Sequence, residues 1–191
     1  MDALRVVIYT LMSAISAIAA MTGGGLLGHE HSVRWNVKTL GDGFVIPSYP
    51  ISTTISAQLA LPSTAVAEDT YRLPSERTLY VLKTRLVEAM LESDNDYHLV
   101  LEDPTTHQQM IAEIPEGVST TPEAYRTLFH SARHSIDSLL GPLSSWPIRF
   151  SKPPMLQITG IGFFDETHLV PPPGTAPNGR EIHPVIGVRV P

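Results

Sequence analysis

The sequence contains no cysteine. This absence excludes disulfide bonds, iron–sulfur clusters, zinc sites built on thiolates and cysteine nucleophiles. A metal site in this chain would have to draw on its 8 histidines and its 19 aspartates and glutamates. The lack of cysteine does not indicate a compartment, because disulfide-free proteins occur on both sides of a bacterial inner membrane.

Charged residues are also scarce, at 17% of 191 residues, and the acidic ones outnumber the basic ones by 19 to 13. The resulting net charge of -6 argues against strong, sequence-independent binding to nucleic acid backbones. Hydrophobic residues make up 42% of the chain and the mean hydropathy is +0.04, which excludes an intrinsically disordered chain and a coiled coil. We therefore expect one folded domain with additional segments.

Several common enzyme motifs are missing from the sequence. It has no glycine-rich phosphate loop, no Gly-x-Ser-x-Gly nucleophile elbow and no dinucleotide-binding fingerprint. Nucleotide-dependent and serine-hydrolase chemistry therefore have no support in the sequence.

One apolar run stands near the N-terminus, over residues 6–21. At about 16 residues it is shorter than the roughly 20 that span a bilayer. Alanines near its end and Arg5 before it are typical of a secretory signal. We expect residues 1–28 to be a signal peptide and the protein to be exported to the periplasm or the extracellular space. The alternative is an inner-membrane anchor, and such an uncleaved segment would be the protein's contact with a membrane.

Residues 29–76 predict an N-terminal arm or linker that extends around the core. This segment is interrupted by Pro47, Pro50, Pro62 and Pro74. Within it we expect a strand over residues 33–39 and a short helix or strand near residues 51–61.

Residues 77–191 predict the folded domain. Alternating and β-branched residues indicate strands over residues 79–90, 97–102, 109–114, 155–164 and 181–190. Gly160 and Gly162 indicate a bulge or bend in the fourth of these strands, and Pro184 places the fifth on an edge or at a bulge. Between the third and fourth strands, Thr121 as N-cap and Gly141 as terminator bracket a helix with helically spaced apolar residues.

The element order β-β-β-α-β-β is that of the OB-fold, a five-stranded barrel with a helix that plugs one end. We therefore predict a mainly β, OB-like barrel preceded by an extended arm. The alternative is a generic α+β sheet with the helix on one face.

Five segments resemble a family of uncharacterised, exported bacterial proteins. They are WNVKT at 35–39, DNDYHLVL at 94–101, MIAEIP at 110–115, TGIGFFD at 159–165 and APNGREIHPV at 176–185. The resemblance extends over roughly residues 33–190 and implies the same layout of elements and export, but no activity. Members of that family carry a His-Gly-Gln stretch after the Phe-Phe-Asp segment, of which this chain keeps only His168.

Our first functional interpretation is an exported binding module for an oligosaccharide, a nucleic acid or a protein. OB barrels bind through their second and third strands and the adjacent loops. The candidate binding residues are His98, Glu102, Gln109, Glu113, Asn178 and Lys38. A weak case for single-stranded nucleic acid rests on interleaved basic and aromatic residues, namely Lys38, Arg72, Arg77, Lys83, Arg85, Trp35, Tyr71 and Tyr80.

The alternative interpretation is a metal-dependent phosphodiester hydrolase of nuclease type. Its candidate ligands alternate along two predicted strands, and they are Asp94, Asp96, His98, Glu181 and His183. If His98, Glu113 and His183 converge, they could hold one divalent ion that activates water. The same residues also suit a hairpin turn and a cross-strand polar pair without any ligand. A structural envelope protein is a third possibility.

Overall fold

The computed structural model describes residues 32–166 and 170–191. The predicted signal peptide or anchor and the segment that contains His168 lie outside the described residues. Within the part that is described, no helix is long and apolar enough to cross a membrane.

The structure contains seven strands and three α-helices within the described residues. The strands are β1 (Ile51–Thr53), β2 (Leu79–Leu91), β3 (Tyr97–Glu102), β4 (Gln109–Ile114), β5 (Ile148–Arg149), β6 (Met155–Phe164) and β7 (Arg180–Arg189). The helices are α1 (Val33–Lys38), α2 (Ile55–Leu59) and α3 (Glu123–Leu140), with a 3₁₀ turn at Pro74–Glu76.

Five of these strands close into a barrel. The long strand β2 pairs antiparallel with β6 through its first half and with β3 through its second half. Strands β3 and β4 form a hairpin, β4 runs parallel to β7, and β7 pairs antiparallel with β6. The resulting order, β2-β3-β4-β7-β6 and back to β2, confirms the predicted OB-like barrel.

Both faces of strand β3 are buried, for different reasons. Leu99 and Leu101 point into the barrel and belong to its apolar core. His98 and Val100 point outward, yet they are only 1% and 2% exposed. The connection between β6 and β7 covers them: a Cβ added at Gly174 would lie 2.8 Å from Val100 Cγ1. The outer face that OB barrels usually offer to ligands is therefore enclosed at this point.

Helix α3 ends as predicted but begins differently. Phe129, Ala132 and Ile136 are buried in the barrel core, and the helix stops before Gly141, whose φ is 78°. The predicted N-cap, Thr121, is wrong because Pro122 occupies that position. The Thr121 hydroxyl instead donates to the Thr39 carbonyl oxygen, at 2.9 Å, which ties the start of the helix to the arm.

The predicted strand over residues 33–39 is wrong, because these residues form helix α1. The Ser32 side chain caps that helix by accepting a hydrogen bond from the Trp35 backbone N–H, at 3.0 Å. Arg34 and Val37 on α1 are buried. Tertiary burial and the cap outweigh the β-branched residues of this segment. Near residues 51–61 the structure contains both a short strand, β1, and a short helix, α2.

Strands β6 and β7 are irregular where the sequence predicted a bulge. Their register shifts on both sides of Gly160 and before Gly162. A Cβ at Gly160 would lie 2.6 Å from the Pro184 carbonyl oxygen, so this approach requires glycine. Strand β7 lies between β4 and β6, which confirms the bulge for Pro184 and excludes the edge position.

Candidate metal centre

A group of histidines and carboxylates lies on the outer face of β3, β4 and β7. His98 on β3 stands directly opposite Glu113 on β4 in the strand register. Strand β7 runs beside β4, with Ala112 opposite Ile182, so His183 comes next to Glu113. We call the whole group the histidine cluster, and its members are Lys38, Glu92, Asp94, Asp96, His98, Glu113 and His183.

The Glu113 carboxylate lies between the two imidazoles. Its Oε1 is 3.0 Å from His98 Nδ1, and its Oε2 is 2.9 Å from His183 Nδ1. Each oxygen therefore faces a different histidine. His98 and His183 are each 1% exposed and Glu113 is 8% exposed, so bulk water screens these contacts little.

The loop between β2 and β3 brings further carboxylates to the same histidines. Glu92 Oε1 lies 3.0 Å from His98 Nδ1, and Asp96 Oδ2 lies 3.4 Å from His183 Nε2. The ends of the loop are fixed because the Glu92 backbone N–H donates to the Asp96 carbonyl oxygen, at 2.9 Å. These two side chains therefore reach the histidines from a defined hairpin.

The turn interpretation of this loop is correct as well. Asn95 adopts a left-handed conformation with φ 69°, and the Asp96 backbone N–H donates to Asp94 Oδ1 at 3.2 Å. Asp94 turns its other oxygen to Lys38 Nζ, at 2.8 Å. The same residues thus form the turn and contribute to the cluster.

Lys38 is the one permanently charged cation of the histidine cluster. Its Nζ lies 3.3 Å from Asp96 Oδ2 and 4.2 Å from the centre of the Trp35 ring. Burial by itself would lower the pKa of this amine, but the nearby carboxylates, led by Asp96 and Glu113, raise it above its ordinary value.

The carboxylates raise the pKa of both histidines. Burial acts in the opposite direction for each ring. Hydrogen bonds to Glu113 and Glu92 nevertheless raise the pKa of His98 to about 11. The charge of Glu113 and hydrogen bonds to Asp96 and Glu113 raise the pKa of His183 to about 10. In the metal-free protein, protons therefore supply the positive charge that these carboxylates attract.

Glu113 and Glu181 are both buried near the histidines but titrate in opposite directions. Burial raises the pKa of each carboxyl group. For Glu113 the two histidines and Lys38 outweigh burial and hold the pKa well below its ordinary value. For Glu181 the charges of Glu113 and Asp165 add to burial, and the pKa is well above its ordinary value. The surroundings of Glu181 therefore favour its protonated form, whereas those of Glu113 favour its ionised form.

Two sets of three residues place their ligand atoms within 4.8 Å of one another, which is close enough to surround one ion. One set is Glu92, His98 and Glu113, and the other is Asp96, Glu113 and His183. In the first set, Glu92 Oε1 and Glu113 Oε1 both lie 3.0 Å from His98 Nδ1, which matches ligand spacing around a metal. In the second set, Asp96 Oδ2 lies 3.4 Å from His183 Nε2, whereas Glu113 Oε2 lies 2.9 Å from the other ring nitrogen, Nδ1. With bonds of about 2.1 Å, adjacent ligand atoms lie about 3.0 Å apart in an octahedron and about 3.4 Å apart in a tetrahedron.

The structure brings together some of the sequence-predicted residues and separates the others. His98, Glu113 and Lys38 of the binding set, and Asp94, Asp96 and His183 of the metal set, meet in the histidine cluster. Glu102 instead contacts Arg85 at 3.3 Å and His107 at 3.0 Å. Gln109 is exposed at the opposite end of β4, in register with Glu102.

Asn178 has a structural role. Its side-chain Nδ2 donates to the carbonyl oxygens of Gln58, Leu59 and Leu61, at 3.0 to 3.3 Å. These carbonyls belong to the end of helix α2 and the residues after it, so Asn178 joins the arm to the barrel.

Part of the basic and aromatic surface that is a candidate site for single-stranded nucleic acid already makes contacts within the protein. Arg72 pairs with Asp42 at 2.7 Å and donates to the Val37 carbonyl oxygen at 2.6 Å. Lys38 is held in the histidine cluster. These two cations are therefore not presented to a phosphate backbone in this structure.

Sequence reasoning did not include Glu92 among the candidate ligands. It was assigned to the hairpin turn, although Glu92, Asp94, Asp96 and His98 occupy alternate positions. Strand alternation does not account for its position, because residues 92–96 form a turn between β2 and β3, and the hydrogen bond from the Glu92 N–H to the Asp96 carbonyl oxygen closes that turn beside His98.

Comparison of the chain with models of protein families finds no match, and comparison with curated proteins finds none either. The resemblance to a family of exported bacterial proteins therefore stays a prediction.

Proposed function

We propose that this protein is an exported, OB-like binding module whose ligand is a divalent metal ion held by Glu92, His98 and Glu113. The observation that carries the proposal is the environment of His98. Two carboxylate oxygens, one from Glu92 and one from Glu113, lie 3.0 Å from the same ring nitrogen, Nδ1.

The other nitrogen of His98 determines which tautomer is available. His98 Nε2 lies 3.2 Å from the Pro173 carbonyl oxygen, which can only accept a hydrogen bond. Nε2 must therefore carry the hydrogen in the neutral ring, and Nδ1 presents a lone pair to the two carboxylates. A metal ion at this point removes the repulsion between this lone pair and the carboxylate oxygens. The hydrogen bond from Nε2 to the Pro173 carbonyl oxygen orients the ring, as such bonds usually do for metal-bound histidines.

The charge of the cluster also favours a cation. The carboxylates of Glu92, Asp94, Asp96 and Glu113 face one permanent cation, Lys38. One divalent ion supplies the same charge as protonation of both histidines, so it can replace those two protons without a change in net charge. Imidazole and carboxylate ligands together suit zinc, manganese or iron(II), because no thiolate is present to select softer metals.

An ion can reach this position from solvent. The Glu92 and Asp94 side chains are 29% and 28% exposed, whereas His98 behind them is 1% exposed. The side of the site formed by Glu92 and Asp94 is therefore open to water, whereas the nitrogen ligand, His98, is enclosed. This arrangement suits an ion better than an oligosaccharide or a peptide, which needs an extended accessible surface.

Elemental analysis and thermal melting test the proposal. The protein, purified without a histidine tag, is stripped with a chelator and then supplied with zinc, manganese, magnesium, calcium or nickel. We expect near-stoichiometric uptake of a transition metal and a higher melting temperature, both lost in His98→Ala. His107→Ala is the matched control, because His107 also lies 3.0 Å from a glutamate but is 66% exposed. No uptake and no shift with any of these ions would leave only a network of ion pairs and refute the proposal.

Export is the part of the proposal that rests on the N-terminal apolar run. Cell fractionation of the full chain tests it. A shortened protein in the periplasm or medium supports export with cleavage, full-length protein in the inner membrane supports an anchor, and full-length protein in the cytoplasm contradicts export.

A metal-dependent phosphodiester hydrolase is the second candidate, and one observation favours it. Glu113 and Glu181 are both buried on the adjacent strands β4 and β7, each one residue from the paired Ala112 and Ile182, and their pKa values are displaced in opposite directions. Such a pair is typical of sites that need an ionised group and a proton donor at the same pH. Metal-loaded protein should then hydrolyse an activated phosphodiester, bis(p-nitrophenyl) phosphate, and Glu181→Gln should abolish turnover while metal uptake remains. Absence of turnover in the loaded protein leaves the binding module alone.

A further inference from the structure

We propose that His183 is a positioning residue that determines which metals the site prefers, because it holds Glu113 with only one carboxylate oxygen free for the ion. This inference rests on the proposed function and deepens it. Glu113 Oε1 binds the ion beside His98, and Glu113 Oε2 accepts a hydrogen bond from His183.

The two oxygens of Glu113 face different rings. Oε1 lies 3.0 Å from His98 Nδ1, and Oε2 lies 2.9 Å from His183 Nδ1. The second contact is within hydrogen-bond distance, and it helps to lower the pKa of Glu113. The oxygen that faces His183 is therefore already used, and Oε1 remains for an ion at the proposed site.

The His183 ring lies between two carboxylates and is not a ligand of the ion beside His98. Its Nδ1 faces Glu113, whereas Nε2, on the far side of the ring, lies 3.4 Å from Asp96 Oδ2. Lys38 Nζ lies 3.3 Å from the same Asp96 oxygen and supplies a cation there. Because the contact with Glu113 is shorter and Asp96 already has this cation, a neutral His183 ring places its hydrogen on Nδ1, facing Glu113.

His183 is held firmly enough to orient Glu113. Its strand, β7, is paired with β4 on one side and with β6 on the other. The ring is 1% exposed and packs against Phe163, with 5.3 Å between the ring centres. A ring fixed in this way keeps its contact with Glu113 when an ion enters. Hydrogen bonds of this kind to a ligating carboxylate are a usual means of tuning a metal site.

A carboxylate that binds through one oxygen discriminates between ions. Zinc takes about four ligands, each of which can be a single nitrogen or oxygen atom. Calcium takes about 6–8 oxygens, and carboxylates that bind through both oxygens help to reach that number. With Oε2 held by His183, Glu113 adds one oxygen to the ion. The site therefore provides three ligand atoms suited to zinc, from Glu92, His98 and Glu113, and too few oxygens for calcium.

The affinities of His183→Leu for zinc and for calcium test the inference. Leucine fills a similar volume but cannot donate a hydrogen bond, so Oε2 of Glu113 becomes free to turn towards the ion. We expect zinc to bind about 10–100-fold more weakly, as for other residues that orient a ligand, and calcium to bind as well as in the wild type or better. Competition with a chromophoric chelator measures zinc binding, and titration calorimetry of the full chain measures calcium binding.

A conservative variant and a matched control accompany this measurement. In His183→Asn the side-chain amide N–H lies close to the position of Nδ1, so this variant should keep most of the preference for zinc. His107→Leu removes a ring whose Nδ1 also lies 3.0 Å from a glutamate oxygen, that of Glu102, but outside the histidine cluster. It should bind both ions like the wild type.

A measurement on the wild type applies if His183→Leu does not fold, as judged by circular dichroism. Nitrogen-15 nuclear magnetic resonance of the zinc-loaded protein shows which ring nitrogens carry hydrogen and which bind metal. The His183 ring is identified by its proximity to Phe163. We expect hydrogen on Nδ1 of His183 and zinc on Nδ1 of His98. A His183 ring without hydrogen on Nδ1 would overturn the inference.

The outcomes separate this inference from the proposed function. A lower preference for zinc in His183→Leu, restored in His183→Asn, supports the positioning role. If the affinities of His183→Leu for zinc and calcium are unchanged or fall by the same factor, the positioning role is overturned and the single metal site stands. A wild-type protein that binds no zinc overturns both.

Discussion

Two buried polar clusters flank the barrel, and their carboxylates have different partners. In the arginine cluster, which consists of Arg34, Glu76 and the backbone around them, both Glu76 oxygens accept hydrogen bonds from Arg34 Nη1 and Nη2, at 3.0 and 2.7 Å. The same oxygens also accept the backbone N–H groups of Leu73 and Phe164, at 2.8 and 2.9 Å. In the histidine cluster, by contrast, carboxylate oxygens converge on imidazole nitrogens.

This difference separates a structural ion pair from a site that needs a cation. Glu76 receives four hydrogen bonds, so its burial is fully compensated and it joins the arm to the barrel. Glu113 faces two rings whose nitrogens can satisfy it only when they carry a proton or a metal. The first cluster should therefore contribute to stability under all conditions, and the second only with its protons or its ions.

The largest effect is expected from Glu76→Gln. The change leaves the buried Arg34 guanidinium without its ionic partner and should lower the free energy of unfolding by about 3–5 kcal/mol, with or without metal. Urea denaturation measures it. A loss below about 1 kcal/mol, or a loss that added metal restores, would contradict the distinction between the clusters.

Glu113→Gln should remove the stabilisation by metal. In the wild type, a free metal concentration of a hundred times Kd raises the free energy of unfolding by about 2.7 kcal/mol. The variant should show no such increase, because a carboxylate common to both sets of ligands is lost. Paired melts with and without metal measure the difference, and Glu102→Gln should respond like the wild type. A full metal-dependent increase in Glu113→Gln would exclude Glu113 as a ligand.

The pH dependence of the metal-free protein sharpens the comparison further. Folding raises the pKa of His98 to about 11 and that of His183 to about 10. The stability that these rings contribute is complete below the unfolded pKa of about 6.5 and is lost as the pH rises towards 10–11. Glu113 and Asp96, whose pKa values are lowered, act in the opposite direction and lose their contribution in acid.

Urea denaturation of the metal-free protein across pH 4–11 should therefore show greatest stability in mild acid, between the carboxylate and imidazole transitions. His98→Gln should flatten the alkaline part of this profile. A wild-type profile that is already flat between about pH 7 and 10 would show that the imidazoles are not protonated in the cluster.

Glu181→Gln should have the smallest effect. Burial and the charges of Glu113 and Asp165 raise the pKa of Glu181 well above its ordinary value, so folding disfavours its ionised form, and this costs free energy above the unfolded pKa. Glutamine cannot ionise and removes this cost, so the free energy of unfolding at pH 7 should stay constant or rise slightly. A clear loss of stability would mean that the ionised carboxylate is needed, as it is for Glu113.

Much of the barrel could be predicted from local patterns. Alternate residues of β3 and β4 belong to the apolar core, namely Tyr97, Leu99 and Leu101, and Met110, Ala112 and Ile114. Helix α3 keeps its apolar residues on one face and ends at Gly141. These signals are strong because neighbouring residues determine them. Helix α1 could not be predicted in this way, since burial of Arg34 and Val37 against distant parts of the chain decides its conformation.

In the candidate site, too, some groupings follow from local sequence patterns and others only from tertiary contacts. The alternation of Asp96 with His98, and of Glu181 with His183, predicts that each pair shares one face, because the side-chain period of a strand is two. The structure places Asp96 in the turn before β3, from which it reaches His183. The role of Glu113 as the residue between both histidines depends on the parallel pairing of β4 with β7, which joins residues far apart in the chain. Glu102 has the same residue type as the candidate ligands, and Asn178 was also a candidate binding residue, but the partners of both are structural.

The sequence by itself determined the alternating strands, the long helix, the turn at Asn95 and the exclusion of thiolate chemistry, since each depends on composition or on residues close in the chain. Only the tertiary structure decided that an outer barrel face is buried, that Lys38 reaches the hairpin loop and that one carboxylate separates two imidazoles. The physical reason is that burial, charge balance and the pKa values of these groups depend on distances between segments that barrel closure alone brings together.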